Sequence, residues 1–144
     1  MRIFTSYFGR KAMLEKEGIV PISISLWKPK WYEGLQLLQV APKAFMLKED
    51  LTQQQYIDCY KRCVTDRLRV EEVVRWIENL SQGKDAALLC YEKPGDFCHR
   101  HLLAEWMTKE SGLVVEEWEP AETEAARTVE KKVEEPVSDL FGGM

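Results

Sequence analysis

Residues 85–110 place an apolar run, a tight turn and a helical pattern in immediate succession. The run at 86–91 (AALLCY) has the length and apolarity of a strand buried on both faces. A Pro-Gly pair at 94–95 dictates a turn, and Asp96 is a candidate N-cap for the helix that follows. Strand, loop and helix in this order make half of a βαβ unit, which predicts a parallel sheet covered by helices. Ligands of such sheets bind beyond the carboxyl ends of the strands, so we expect a site in this loop and the first helical turn.

The other segments supply the remaining elements of an α/β domain. We predict strands at 2–8, 19–26 and 113–118, a loop or short strand at 34–40, and helices at 11–18, 43–47, from Thr52 onward and at 70–80. At 144 residues the chain suits one packed core, which we assign to residues 1–119. No apolar run approaches the roughly 18 residues needed to cross a bilayer, and no signal-peptide core is evident, so we expect no membrane association and a cytoplasmic location.

Acidic residues are concentrated at the carboxyl end. The net charge is −4, and residues 121–144 hold six acids and three bases, so residues 1–120 are close to neutral. We predict that residues 120–144 form a flexible acidic tail. Within 137–141 of this tail, Asp139, Leu140 and Phe141 resemble the short motif by which bacterial replication and repair proteins dock on the sliding clamp, although the customary leading Gln is absent. The alternative is an incidental Leu-Phe pair.

The first turn of the predicted helix reads Cys98-His99-Arg100. A thiol at a helix N-terminus beside a cation has a lowered pKa, and the same place favours anions. Both histidines of the chain, His99 and His101, fall in this turn. The structural alternative is a buried Cys98, a His99 packed on the sheet and an Arg100 paired with Glu92 or Asp96.

Residues 90–106 (CYEKPGDFCHRHLLAEW) resemble the signature of the domain-of-unknown-function 488 (DUF488) family, in which a strand ending in Cys-x-Glu leads to Cys-His-Arg at a helix start. Weaker similarities are Thr5-Ser6 after the first strand and Ser25-Leu26-Trp27 after the second. Relatives often carry Asp and Arg where this chain has residues 24–26, so no charged role is carried over there. Over residues 1–118 the resemblance implies a small Rossmann-like three-layer α/β sandwich with a mostly parallel sheet of about 4–5 strands. It implies no secure activity.

Candidate ligand-binding residues surround this signature. The densest aromatic and basic group of the chain consists of Trp27, Trp31 and Tyr32 interleaved with Lys28 and Lys30, and such groups stack bases and neutralise phosphates. The alternative is an apolar lid over the sheet. The resemblance adds a helix tyrosine, Tyr56 or Tyr60, at the pocket border; the alternative, which we favour, is that these are core residues with satisfied hydroxyls. The remaining candidates lie at strand ends: Thr5, Ser6, Ser25 and Cys90.

Three function classes follow. The first is an enzyme or binding protein for an anionic, nucleotide-like ligand, acting by transfer or hydrolysis at a glycosidic or phosphate ester bond. Its candidate catalytic residues are Glu92 as base or sugar-hydroxyl acceptor, Cys98 as nucleophile, His99, and Arg100 for the anion. Adjacent helical residues point about 100° apart, so we do not expect Cys98 and His99 to bond each other. Replacing Glu92 or Arg100 by alanine is expected to abolish binding and to leave the fold intact.

The other two classes are a metal protein and an adaptor. With no export signal, the four cysteines are expected to be reduced and no cofactor is predicted. A zinc site built from Cys90, Cys98 and His99, with His101 or Cys59, is the alternative, although the short paired spacing of zinc knuckles is missing. The third class is a DNA-metabolism adaptor that docks a sliding clamp through its tail.

Overall fold

The computed structural model describes residues 1–91 and 98–120. Glu92, Asp96 and the predicted docking residues Asp139, Leu140 and Phe141 lie outside the described residues. The elements in chain order are β1 Ile3–Tyr7, α1 Lys11–Lys16, β2 Val20–Ser23, β3 Leu35–Gln36, α2 Ala44–Lys48, α3 Gln53–Cys63, α4 Val70–Ser81, β4 Ala86–Cys90, α5 His99–Ser111 and β5 Val115–Glu117. Within the described ranges, no helix is long and apolar enough to cross a membrane.

The five strands form one parallel sheet in the order β3-β2-β4-β1-β5. This confirms the predicted α/β fold. From β1 the chain passes through α1 to β2 and on to β3 at one edge of the sheet. It then returns toward the other edge, through α3 and α4 to β4 and through α5 to β5. Right-handed crossovers require these two directions to place their helices on opposite faces of the sheet. The result is the three-layer sandwich that the sequence predicts.

Each face of the sheet has its own apolar core. All five residues of β4 are buried, and they alternate between the faces, as predicted for a strand covered on both sides. Leu88 packs in the larger core with side chains of α3, α4 and α5, whereas Leu89 packs in the smaller core with Leu14 of α1 and Trp118.

β1 and β4 are neighbours at the centre of the sheet, and the chain leaves them in opposite directions. At such a switch point the two following loops part and open a crevice at the carboxyl ends of the strands. The register pairs Tyr7 with Cys90 at this edge. Groups that follow Cys90 are therefore placed where ligands of such sheets bind.

β2 ends earlier than predicted, at Ser23 instead of near Leu26. Ile24 still donates its N–H to Leu89 O at 3.0 Å, but the next N–H, of Ser25, turns to Ser23 Oγ at 3.3 Å. This side-chain acceptor competes with the sheet and bends the chain away from it. The residues after Ser25 thereby become the wall of a cavity.

Helix α3 begins with a capping box. Thr52 Oγ1 accepts from Gln55 N at 3.1 Å, and Gln55 Oε1 accepts from Thr52 N at 2.9 Å. We expect Thr52→Ala to lower the free energy of unfolding by about 1 kcal/mol. The substitution removes the acceptor of the Gln55 N–H and weakens the reciprocal hydrogen bond from Thr52 N to Gln55 Oε1. Urea denaturation measures this. Gln54→Ala, on the exposed side of the same turn, is the control and should change it by less than about 0.5 kcal/mol; equal losses in the two variants would contradict the capping role.

Candidate functional site

A cavity of about 420 Å³ lies beyond the carboxyl ends of β2 and β4. Trp27 and Tyr91 are 52% and 50% exposed and stand at its mouth, whereas Cys98 and His99 are buried and form its floor. Among the described residues, most of the wall is apolar or aromatic, and the polar groups are few. The lining residues are Ser25, Leu26, Trp27, Pro42, Leu47, Tyr56, Tyr91, Cys98 and His99.

The segment after β2 divides the predicted aromatic and basic group. Its anchor is Tyr32, which is fully buried and donates its hydroxyl to Leu35 O at 2.7 Å; burial raises the pKa of Tyr32 to about 12. Lys28 donates to Tyr32 O at 2.9 Å and so closes the loop on itself. Trp31 stands 60% exposed with its ring edge-on to Phe8. Of the three aromatic rings of this group, Trp27, Trp31 and Tyr32, only Trp27 lines the cavity.

Helix α3 contributes one of its two tyrosines to the cavity. Tyr56 is among the lining residues. Tyr60 is buried in the core, where its hydroxyl donates to Val40 O at 2.7 Å and its ring packs on His99. Tyr56 is thus placed at the pocket border, where the resemblance implies a tyrosine, and Tyr60 supports the floor from behind.

Cys98 and His99 are in contact, contrary to expectation. Cys98 is the N-cap of α5, with an extended backbone (φ −155°, ψ 148°), so the 100° separation of helical neighbours does not apply to this pair. Its Sγ lies 3.7 Å from His99 Nδ1. The prediction that the two side chains cannot meet is wrong, because it assumed that Cys98 belongs to the helix.

The imidazole of His99 is held in one orientation. Its Nε2 lies 2.8 Å from Ile24 O, and a carbonyl oxygen only accepts, so Nε2 carries the proton in this bond. Burial, the largest cause, lowers the pKa of His99 to about 4, against the smaller raising effect of the bond to Ile24. The ring is therefore neutral near pH 7, and its unprotonated Nδ1 faces the sulfur of Cys98.

Arg100 lies beneath the cavity floor and is fully buried. Its Nε and Nη2 donate to the two carboxylate oxygens of Glu117 at 3.0 and 3.2 Å, and its Nη1 donates to Cys90 Sγ at 2.9 Å. The structural alternative expects an ion pair of Arg100 with Glu92 or Asp96; these two residues lie outside the described residues, and Glu117 is the partner that the described residues supply. Glu117 also accepts from Thr5 Oγ1 at 2.8 Å, so Thr5 belongs to this buried network. Arg100 and Thr5 do not line the cavity.

Two cysteines are free and two are joined. Cys59 and Cys63 on α3 are free, as predicted. Cys90 and Cys98 are joined through their sulfur atoms, so the prediction of reduced thiols is wrong for this pair in the structure. The reason is topological, since a strand end and a helix start converge at the switch point. Their Cα atoms are 7.6 Å apart, beyond the roughly 4.4–6.8 Å usual for disulfides.

The ligand atoms of Cys90, Cys98 and His99 all lie within 4.8 Å of one another, a spacing that suits a metal ion.

The structure thus brings together some of the predicted residues and separates others. Ser6 is fully buried in β1, and its Oγ has no hydrogen-bond partner among the described residues. Glu92, a predicted catalytic residue, is not described. The predicted residues that line the cavity are Ser25, Trp27, Tyr56, Cys98 and His99, and those that lie elsewhere are Thr5, Ser6, Lys28, Trp31, Cys90 and Arg100.

Several lining residues were not predicted. Tyr91 directly follows β4 and Leu26 lies three residues beyond β2, and a position after a strand end was the available signal for them. Pro42 and Leu47 come from the segment around α2, whose position over the sheet follows from tertiary packing alone. Glu117 lies in the segment predicted as the last strand, and that prediction does not indicate a partner for Arg100.

Comparison with known proteins supports the sequence signature. Residues 15–111 match the family model DUF488-N3a, described as the active DUF488-N3 subclade. No curated protein and no solved structure matches the chain. The matched range covers more than half of the 144 residues and includes β2, β4 and the start of α5, which together carry the cavity floor. The chain belongs to the DUF488 family.

Proposed function

We propose that the chain binds a nucleotide-like molecule in the 420 Å³ cavity, with the flat ring between aromatic side chains and the reacting bond at Cys98 and His99. The reaction class that fits is transfer or hydrolysis at a glycosidic or phosphate ester bond. The observation that carries the proposal is one cavity that combines an aromatic mouth with a buried thiol and imidazole floor.

The size and lining of the cavity suit a small planar ligand. Small-molecule sites usually span about 300–1,000 Å³ and are largely apolar with few polar groups. Trp27 and Tyr91 present half-exposed rings at the mouth, and Tyr56 adds a third aromatic group. Stacking of a base on one such ring contributes about 1–3 kcal/mol. A nucleobase therefore fits the wall better than an aliphatic ligand of equal volume.

The start of α5 supports a negative group on the same ligand. This helix has thirteen residues, and its N-cap Cys98 makes no capping hydrogen bond with its side chain. The positive end of the helix dipole thus lies at the cavity floor, where it favours an anion such as a phosphate.

The floor also carries the groups for chemistry. In the reduced, metal-free protein, His99 presents an unprotonated Nδ1 to Cys98 Sγ at 3.7 Å, so the imidazole is placed to accept a hydrogen bond from the thiol. Arg100 does not reach the cavity and acts through Cys90, to which it donates at 2.9 Å. The base role of Glu92 stays a prediction.

Isothermal titration calorimetry with nucleoside 5′-monophosphates tests the proposal. Removing a stacking ring in Trp27→Ala should weaken binding by about 10- to 100-fold, equivalent to about 1.4–2.7 kcal/mol. The control is Phe45→Ala, because Phe45 is 40% exposed on α2 and does not line the cavity. The proposal would be contradicted if the wild-type protein bound none of the four common monophosphates. Equal weakening of binding in Trp27→Ala and Phe45→Ala would also contradict it.

A further inference from the structure

We propose that Cys90, Cys98 and His99, once the two thiols are reduced, bind one divalent cation that prefers thiolate ligands, such as zinc. The fourth coordination position of this ion would face the cavity. The inference deepens the proposed function by naming a cofactor for the same site, yet it is tested without any nucleotide.

The spacing of the ligand atoms fits a tetrahedral ion. With Zn–S near 2.3 Å and Zn–N near 2.0–2.1 Å, a tetrahedral sulfur–nitrogen edge is about 3.6 Å long. Cys98 Sγ and His99 Nδ1 lie 3.7 Å apart, and all three ligand atoms lie within 4.8 Å of one another. The two sulfur atoms must part to about 3.8 Å to hold an ion between them. The Cα separation of 7.6 Å, wider than disulfides usually have, leaves room for this.

The hydrogen bond of His99 prepares its ring for coordination. Metal-ligating histidines almost always donate their second ring N–H to a carbonyl or carboxylate, which fixes the tautomer and the ring direction. Nε2 of His99 has this partner in Ile24 O at 2.8 Å. The lone pair of Nδ1 therefore points toward the sulfur atoms in the absence of any ion.

The buried charges also favour a dication. Glu117 balances Arg100 through two hydrogen bonds, and Arg100 uses its Nη1 to donate to Cys90 Sγ. That donation stabilises a thiolate at Cys90, and the helix dipole at the N-cap stabilises one at Cys98. Two thiolates in a buried site carry a charge of −2 that the arginine, already paired, does not cancel. One divalent ion restores neutrality.

The open side of the cluster faces the cavity. Cys98 and His99 both line the cavity, whereas Cys90 lies behind them. Three protein ligands and one open position are the pattern of catalytic zinc sites, in contrast to the closed four-ligand structural sites. Such an ion lowers the pKa of a bound water and would supply the nucleophile for hydrolysis of a ligand bond. The sequence names these three ligands only as an alternative, because they come from a strand end and a helix start and lack the short paired spacing of zinc knuckles.

Cobalt(II) titration of the reduced, metal-free protein tests the proposal, since cobalt replaces zinc and absorbs light. We expect one cobalt per chain, with intense visible bands of a tetrahedral ion and near-ultraviolet thiolate charge transfer. Cys90→Ser and Cys98→Ser should each lower the charge-transfer intensity and weaken binding by more than the 10- to 100-fold typical of losing a supporting group. His99→Gln should weaken binding and retain the thiolate bands.

The matched control is the double variant Cys59→Ser/Cys63→Ser, which removes the two free thiols on α3 and should leave the spectrum unchanged. Wild-type protein that binds no cobalt after reduction would overturn the proposal. So would binding that survives both Cys90→Ser and Cys98→Ser, or that is lost in the control. Nucleotide binding is measured separately, on the metal-free protein. If the protein binds nucleotide but no cobalt, only the metal site is refuted. If it binds cobalt but no nucleotide, only the nucleotide proposal is refuted.

Discussion

Replacing Glu117 by glutamine is expected to lower the free energy of unfolding by about 3–5 kcal/mol, the range for breaking a buried ion pair on one side. Arg100 is fully buried and gives two hydrogen bonds to this carboxylate. Glutamine has nearly the same shape but no charge, so the buried guanidinium would lose the negative charge of this carboxylate. For a domain of this size the loss corresponds to a melting temperature lower by on the order of 10–20 °C.

Chemical denaturation followed by circular dichroism measures this effect. The control is Asp66→Asn, which breaks the exposed ion pair with Lys61 and should cost less than about 1 kcal/mol. The double variant Glu117→Gln/Arg100→Met removes both charges and should recover part of the stability. A Glu117→Gln protein within about 1 kcal/mol of wild type would show that Arg100 does not depend on Glu117.

This placement revises what the sequence predicts for Arg100→Ala. From the signature alone, that substitution is expected to abolish binding and leave the fold intact. Because the guanidinium contacts Glu117 and Cys90 rather than the cavity, we now expect a large loss of stability, and any loss of binding would follow from displacement of Cys90.

The second large effect concerns pH. His99 has a pKa of about 4 in the folded protein, below the usual 6.5, mainly because it is buried. As the pH falls below 6.5 the unfolded chain takes up this proton and the folded protein does not, so stability is lost between pH 6.5 and about 4. The expected loss is on the order of 3 kcal/mol in the protein whose Cys90 and Cys98 are joined. The nearby charges of Arg100 and His101 act in the same direction as burial.

Unfolding free energies of wild type and His99→Gln between pH 4 and 8 isolate this contribution. Below pH 6.5 the free energy of unfolding of wild type should fall more steeply than that of His99→Gln. Above about pH 7 the difference between the two free energies should stay constant. The matched control is His101→Gln, which removes the other histidine of the same helical turn. Burial lowers the pKa of His101 as well, but His101 is less buried than His99, so its variant should change the pH profile less. A pH profile for His99→Gln parallel to that of wild type would show that His99 does not carry the effect.

The sequence predicts the fold well where periodicity is strong. The apolar run that becomes β4 and the helical stripe of α4 are close to the observed ranges, because local pattern and burial agree there. β2 is shorter than its alternating pattern because Ser23 Oγ captures the N–H of Ser25. Local propensity does not indicate such a competition, since it depends on where the neighbouring strand ends.

The site is predicted in part, for a related reason. Cys98 and His99 are identified because they begin the helix that comes after β4 in the chain, and Trp27 because it follows β2. The contact between Cys98 and His99 was missed because it depends on where the helix begins. Glu117 was missed because its pairing with Arg100 joins two elements that only the folded sheet brings together.

The most direct test of the cavity as a nucleotide site is a titration of ¹⁵N-labelled protein with a nucleoside 5′-monophosphate, observed through the indole N–H signals. Five tryptophans report from different places, and only Trp27 lines the cavity. We predict a saturable shift of the Trp27 indole signal together with the backbone amides of Cys98 and His99, and little change at Trp76. Shifts that leave Trp27 and Cys98 unmoved at saturating nucleotide would contradict the account.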